Sequence, residues 1–124
     1  DSSLVTSLLC HSSNHPVNTF TVGFDDVHYD ESYRASRIAD FLETNHTNIH
    51  LSSIDVSSFA TCIPSIYDEP FADASAIPTY LISKYSSESV KVCLSGDGGD
   101  ELFGGYNRYI NYKLMYDIYK NKIN

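Results

Sequence analysis

The 124-residue sequence lacks the features of several large protein classes. No apolar run approaches the roughly 20 residues needed to cross a bilayer, and no basic flank with an apolar core marks a secretion signal. Eight Lys and Arg residues stand against sixteen Asp and Glu, the formal charge is −8, and the basic residues form no dense run. Because nucleic-acid affinity rests on clustered positive charge, we expect neither a nucleic acid nor a membrane as partner.

Paired cysteines are also missing. Cys10, Cys62 and Cys93 lie far apart, so they form neither an even disulfide framework nor a paired zinc motif. We therefore expect buried thiols in a reducing compartment, which predicts a cytoplasmic protein.

Two histidine pairs have the i,i+4 spacing that can place two imidazoles on one helix face for a metal. They are His11 with His15, and His46 with His50. Pro16 breaks the helix of the first pair and the second pair lies in strand-like sequence, so both are weak metal candidates.

The length and the 42% hydrophobic content suit one small packed domain, or part of one. Hydroxyl-rich, helix-like sequence begins at once after Asp1, so we expect the natural start to lie upstream. We find no internal repeat and no low-complexity linker.

Hydrophobic periodicity predicts helices that alternate with strands. The predicted helices cover residues 1–10, a segment beginning at residue 30, and about 56–67, 77–87 and 106–120; the predicted strands cover about 19–24, 47–51 and 90–94. This order implies βαβ units, and therefore an α/β fold with a mostly parallel sheet and helices on both faces.

Apolar side chains at helical spacing predict which faces are buried. Leu4 and Leu8 belong to such a stripe in the first helix, and Ala35, Ile38 and Phe41 belong to one in the second. At the start of that second helix, Asp30 complements the helix dipole.

The segment Ser95-Gly-Asp-Gly-Gly-Asp-Glu101 follows the third predicted strand. Its three glycines allow backbone N–H groups to approach a ligand, and in parallel sheets ligands gather beyond the carboxyl ends of the strands. Its three carboxylates would repel a phosphate unless a magnesium ion lay between them. A solvated turn in which Asp100 caps the next helix is an equally good interpretation, whereas the segment does not fit an EF-hand calcium loop.

Two further acidic segments precede predicted helices. Asp1-Ser2-Ser3 consists of preferred N-cap residues, so capping alone accounts for it. In Asp68-Glu-Pro-Phe-Ala-Asp73, Pro70 prevents regular helix, and the carboxylates suit either a capping turn or a substrate ammonium group.

Six segments of the sequence are informative when they are considered together and in order. They are Asp1-Ser-Ser, Thr19-Phe-Thr-Val-Gly-Phe24, Tyr29-Asp-Glu31, Asp68-Glu-Pro-Phe-Ala-Asp73, Ala76-Ile-Pro-Thr-Tyr-Leu81 and Leu94-Ser-Gly-Asp-Gly-Gly-Asp-Glu-Leu-Phe-Gly-Gly-Tyr106. In this order they resemble the synthetase domain of the asparagine synthase (glutamine-hydrolysing) family. Several long motifs in order are far more specific than one short pattern.

The resemblance implies an adenine-nucleotide α-hydrolase-like (Rossmann-like) sheet, truncated at both ends, so that residues 1–124 form part of a synthetase domain. Asp1-Ser-Ser would be the tail of a pyrophosphate loop of the form Ser-Gly-Gly-x-Asp-Ser. The glutaminase domain and a later lysine would lie outside residues 1–124, and we expect the chain alone to be inactive, with exposed apolar surface.

The resemblance also implies site residues for ATP and magnesium. Asp1 would bind magnesium-pyrophosphate, Ser2 would hydrogen-bond the phosphates, and the backbone of Val22 would meet adenine. Asp100 would be the second metal-facing carboxylate.

Ser95 and Gly96 would line the adenosine, and Asp97 would lie beside the acyl-adenylate and the incoming ammonia. Many relatives carry Glu at the position of Asp97, so its carboxylate has a shorter reach here. The implied reaction adenylates the side-chain carboxylate of aspartate and transfers glutamine-derived ammonia to it, giving asparagine, AMP and pyrophosphate.

Two alternatives belong to other functional classes. One is a related adenylating amide ligase with a different carboxylate acceptor, and the other is a non-enzymatic module that binds a cation or a protein partner. The expected partners are the small-molecule substrates and a glutaminase domain of the same polypeptide, and a homodimer is also compatible with the sequence.

Overall fold

The structure is a computed structural model that describes residues 1–28, 30–51, 53–69 and 72–123. Its elements, in chain order, are α1 (Ser2–Ser12), β1 (Asn18–Gly23), α2 (Ser32–Phe41), β2 (Asn45–His50), α3 (Ser53–Ile66), α4 (Ala76–Ser86), α5 (Gly99–Phe103) and α6 (Asn107–Ile123). Tyr29, Pro70 and Phe71, which take part in the sequence motifs, lie outside the described residues, so the expectation attached to Pro70 is not tested.

The two strands form a parallel pair, as the alternation of strands and helices predicts. Asn18 is aligned with Asn45 and Gly23 with His50, and α2 provides the crossover between the strands. Parallel strands require such a crossover, so β1, α2 and β2 form one βαβ unit.

Alternate side chains of the strands point to opposite faces, and helices cover both faces. On one face, Val22 and Ile49 form the core together with Leu81 of α4, which is 1% exposed. On the other face, Thr19 and Thr21 line a cavity of about 90 Å³ together with residues of α1 and α2. The structure therefore confirms the α/β class with a parallel sheet and flanking helices.

The predicted strand at residues 90–94 is wrong, because this segment is not a strand in the structure. A strand needs a backbone partner, and β1 and β2 pair only with each other within the described part of the chain. Val92 and Leu94 are exposed as a result. Cys93 is exposed as well, and Cys10 and Cys62 are only half-buried, so the expectation of buried thiols is also wrong.

The apolar stripes predicted for α1 and α2 are less buried than expected. Phe41 is 85% exposed although it ends α2, because it lies off the face on which Ala35, Ile38 and Ala39 pack towards the sheet. Leu4 and Leu8 of α1 are each 61% exposed. The chain thus carries the exposed apolar surface that we expected. No helix among the described residues has the length and apolar character of a membrane span.

Candidate functional site

The start of α1 lies directly against the glycine-rich loop, although the two segments are far apart in the sequence. A Cβ atom placed on Gly96 would lie 2.7 Å from both the backbone nitrogen and the hydroxyl oxygen of Ser2. A Cβ on Gly99 would overlap the carboxylate of Asp1. Glycine at these two positions therefore permits the close approach that brings Asp1 and Ser2 to the loop.

The N-terminus of α1, which takes part in this contact, has no side-chain cap on its backbone N–H groups. Asp1 occupies the N-cap position but makes no side-chain cap hydrogen bond. The first main-chain bond of the helix runs from Val5 N to Asp1 O at 3.1 Å. The N–H groups of the first turn have no intrahelical acceptors, and the positive end of the helix dipole adds to their preference for anions. Asp1 is therefore the N-cap residue by position, as the capping interpretation predicts, but its carboxylate lies against Gly99 and not on the N–H groups of the helix.

The loop itself is folded into a tight turn. Gly99 N donates to Gly96 O at 3.1 Å, and Gly98 has φ 86° and ψ −9°, the values that a type II turn requires at its third residue. Within this turn the Ser95 hydroxyl donates to Asp97 Oδ2 at 3.0 Å. The carboxylate of Asp97 is thereby held in place while it stays exposed to solvent.

Asp100 lies in the first turn of α5, and the N-cap of that helix is Gly98. The interpretation of Asp100 as the cap is therefore not what the structure shows. A Cβ on Gly105 would overlap the carboxylate of Asp100, so the absence of a side chain at Gly105 leaves the space that this carboxylate occupies. Of the two metal candidates of the sequence, Asp1 thus lies at Gly99 in the glycine-rich loop, and Asp100 lies at Gly105, after α5.

A side-chain clip, formed by Glu101, Tyr106 and Arg108, closes the region after α5. The Tyr106 hydroxyl donates to Glu101 Oε1 at 2.7 Å, and the Arg108 guanidinium lies 4.1 Å from the centre of the Tyr106 ring. This hydrogen bond is the main reason why the pKa of Glu101 is lowered and the pKa of Tyr106 is raised. Sequence reasoning missed the clip, although the Gly-Gly pair before Tyr106 is a turn signal that could have suggested a return towards Glu101.

Val22 lies away from these contacts, in the core at the carboxyl end of β1. Just beyond it, Asp30 joins the end of β1 to the start of α2. Asp30 Oδ1 accepts hydrogen bonds from Ser32 N at 3.0 Å and from Phe24 N at 3.3 Å, and Oδ2 accepts one from the Ser32 hydroxyl at 2.9 Å. These bonds, led by that from the Ser32 side chain, lower the pKa of Asp30. The sequence suggested only its effect on the helix dipole.

The acidic segment before α4 contains a capping turn at its end. Asp73 Oδ1 accepts from Ser75 N at 2.8 Å and from the Ser75 hydroxyl at 2.7 Å. These bonds lower the pKa of Asp73, with the backbone bond as the largest cause. Of the two interpretations left open by the sequence, the structure favours capping for Asp73.

The second histidine pair does not form a joint metal site. His46 and His50 lie in β2, where four residues span about 13 Å. His46 is hydrogen-bonded to the Thr19 hydroxyl and His50 to the carboxylate of Asp25. Across the described ranges, no group of three or more His, Cys, Asp or Glu side chains could hold a metal ion.

The residues at the loop fit a magnesium-bound triphosphate. Magnesium is usually held by one or two carboxylates together with water and phosphate oxygens, so it does not need three protein ligands. Asp1 and Asp100 would be the carboxylates that hold such an ion, and the N-terminus of α1 beside Gly96 and Gly99 would accommodate phosphate oxygens. The chain is therefore an α/β domain in which an uncapped helix N-terminus meets a glycine-rich turn.

Comparison with known proteins gives the family. The sequence pattern of the family described as asparagine synthase matches residues 1–123, so the chain belongs to the asparagine synthase family. No solved structure matches the chain.

Over the aligned residues, the chain is between 33% and 38% identical to three curated relatives. It is 38% identical over 112 residues to a Methanocaldococcus jannaschii protein named "Putative asparagine synthetase (glutamine-hydrolyzing) 2", with 90% of the chain and 22% of the relative covered. It is 37% identical over 110 residues to asparagine synthetase (glutamine-hydrolyzing) 1 of Bacillus subtilis, with 88% and 17% covered. A maize asparagine synthetase (glutamine-hydrolyzing) is 33% identical over 120 residues, with 86% and 20% covered. The chain thus spans about a fifth of the length of these relatives.

Proposed function

We propose that this chain is part of the synthetase domain of an ATP-dependent amidotransferase, a carbon–nitrogen ligase that converts aspartate to asparagine with ammonia from glutamine. The observation that carries the proposal is the contact of Asp1 and Ser2 with Gly96 and Gly99. It combines an open helix terminus, a glycine turn and carboxylates, which are the parts that magnesium-triphosphate binding needs. Membership of the asparagine synthase family supports the same conclusion.

The proposed reaction has two steps. A side-chain carboxylate oxygen of aspartate forms a bond to the α-phosphorus of ATP, and the bond from that phosphorus to the bridging oxygen breaks, which releases pyrophosphate. Ammonia then attacks the activated carbonyl carbon and loses a proton, and AMP leaves with the carboxylate oxygen. A partner glutaminase domain of the same polypeptide would supply the ammonia.

Each site residue has one role in the proposal. Ser2 and the first-turn N–H groups of α1 hydrogen-bond the phosphates, and Asp1 and Asp100 hold the magnesium ion. When bound, magnesium offsets the phosphate charge. Ser95 and Gly96 line the adenosine.

Two further residues complete the assignment. The backbone of Val22 meets adenine at the end of β1, where the side chain is already committed to the core. Asp97 accepts a proton as ammonia attacks, and its exposed carboxylate, held by the Ser95 hydroxyl, supports this role. The unpaired cysteines support a reducing, cytoplasmic location.

The test follows an oxygen atom in the intact protein. Aspartate labelled with ¹⁸O in its side-chain carboxylate is incubated with magnesium-ATP and glutamine, and the nucleotide product is analysed by mass spectrometry. We expect AMP that carries one ¹⁸O atom.

Other outcomes identify the alternatives. Labelled AMP from a different carboxylate, but not from aspartate, would indicate a related adenylating ligase. No nucleotide turnover with any acceptor, together with no thermal stabilisation by magnesium-ATP, would favour a non-enzymatic binding module. Formation of ADP and phosphate would contradict attack at the α-phosphorus.

A further inference from the structure

Asp30 connects two elements that meet at the carboxyl edge of the sheet. Its Oδ1 atom accepts from Phe24 N, directly beyond β1, and from Ser32 N at the start of α2. Its Oδ2 atom accepts from the Ser32 hydroxyl. One carboxylate therefore binds a strand end and a helix start at the same time.

The close packing around Gly23 shows how tightly this junction is built. A Cβ on Gly23 would lie 3.3 Å from both Asp30 Oδ1 and the Cβ of Ser32. The carbonyl of Gly23 accepts from Leu51 N at 2.9 Å. The backbone after Val22 is thus fixed by β2 through Gly23 and by Asp30 through Phe24.

We propose that Asp30 is a positioning residue for nucleotide specificity, which holds the backbone of Val22 to Phe24 in the position that recognises the adenine ring. This inference rests on the proposed function, because it assumes that the ring meets the end of β1. Asp30 acts through the strand end and not through contact with the ligand. Its loss therefore weakens recognition of the base and leaves recognition of the phosphates unchanged.

The three hydrogen bonds that Asp30 accepts decide which substitutions can test its role. Asp30→Ala removes all three acceptor contacts. Asp30→Asn keeps the Oδ1 acceptor for both N–H donors and places an amide opposite the Ser32 hydroxyl, which can accept from it. Asp30→Ser retains a good helix-capping side chain but is too short to hold Phe24 N as well.

The experiment measures binding to the intact protein by isothermal titration with two probes, magnesium-ATP and magnesium-tripolyphosphate. For Asp30→Ala and Asp30→Ser we expect about tenfold weaker ATP binding, corresponding to about 1.4 kcal/mol, and unchanged tripolyphosphate binding. Asp30→Asn is expected to bind both probes like the wild type. Asp73→Ala is the matched control, because Asp73 also accepts from the N–H and the hydroxyl of a serine two residues later, and these two bonds involve no strand.

Three results would overturn the inference. Unchanged ATP affinity in both Asp30→Ala and Asp30→Ser would remove the positioning role while leaving the proposed function intact. Equal weakening for both probes would mean a general loss of structure. Wild-type protein that binds tripolyphosphate but not ATP would refute adenine recognition, and the proposed function with it. If Asp30→Ala does not fold, the ATP and tripolyphosphate affinities of Asp30→Ser test the inference alone.

Discussion

Replacing Gly96 by alanine should push apart the start of α1 and the glycine-rich turn, the two segments that form the candidate ATP site. The new Cβ would lie 2.7 Å from Ser2 N, whereas ordinary van der Waals contact begins at 3.4 Å, so one side must move by about 0.7 Å. Ser2 N belongs to the helix backbone and cannot rotate away, so the start of α1 or the turn must shift as a unit. Overpacking of this kind costs about 1–3 kcal/mol of stability.

The same shift should also weaken ligand binding. The first-turn N–H groups of α1 would lose their placement relative to the turn, so their hydrogen bonds to a phosphate would lengthen and bend, which weakens them. We expect magnesium-ATP affinity to fall by at least about tenfold in isothermal titration of the intact protein. Thermal unfolding measured in parallel reports the loss of stability.

Gly104→Ala is the matched control for this substitution. Gly104 has φ 71° and no atom lies within 4 Å of an added Cβ, so alanine there is strained without a clash. That strain costs about 1–2 kcal/mol, which makes the two variants similar in stability. Equal ATP affinity in Gly96→Ala and Gly104→Ala would refute the argument that the contact with Ser2 organises the site.

The remaining predictions concern stability and the roles of single side chains. Leu81→Ala should cost about 2–5 kcal/mol in chemical denaturation, because Leu81 fills the core between α4 and the sheet. Tyr106→Phe should raise the pKa of Glu101 towards its ordinary value in an NMR pH titration, because the hydroxyl that stabilises the carboxylate is lost; an unchanged pKa would contradict the clip. The lowered pKa of Asp30 means that its ionised form stabilises the fold above the ordinary value of 3.8, and that this contribution is lost as the pH falls through the lower folded-state pKa. The melting temperature should therefore drop less steeply below about pH 4 in Asp30→Asn than in wild type. Asp97→Ala should reduce amide formation while aspartate-dependent pyrophosphate release persists, and undiminished amide formation would exclude its role in the ammonia step.

Local patterns in the sequence account for the elements that were predicted well. The β-branched run around Val22 and the helical spacing of apolar residues in α2 are both local signals, so β1 and α2 lie close to their predicted positions. The boundaries of β2 shifted to Asn45–His50, since strand ends depend on the partner. Residues 90–94 have equally good strand composition, but pairing is a property of two segments and cannot be read from one.

The site residues also fall into two groups, those that a local sequence pattern indicates and those that only the folded chain brings together. Gly96 and Asp97 stand out in the sequence because glycine and acid in one turn are unusual together, although the strand predicted just before them, at residues 90–94, is not formed. The contact between Asp1 and Gly99 was expected only through the family resemblance, because it joins residues that are far apart in sequence. The sequence indicates less than the full role of Asp30, since an aspartate before a helix looks the same in sequence whether or not it also holds a neighbouring strand.

The most direct test of the central claim is isothermal titration of magnesium-ATP into the intact protein and its Asp1→Ala and Asp100→Ala variants. The claim is that the start of α1 and the glycine-rich turn form one magnesium-ATP site. It predicts magnesium-dependent binding in the wild type and at least about tenfold weaker binding in each variant. Magnesium-ATP affinity that is the same in all three proteins would contradict it.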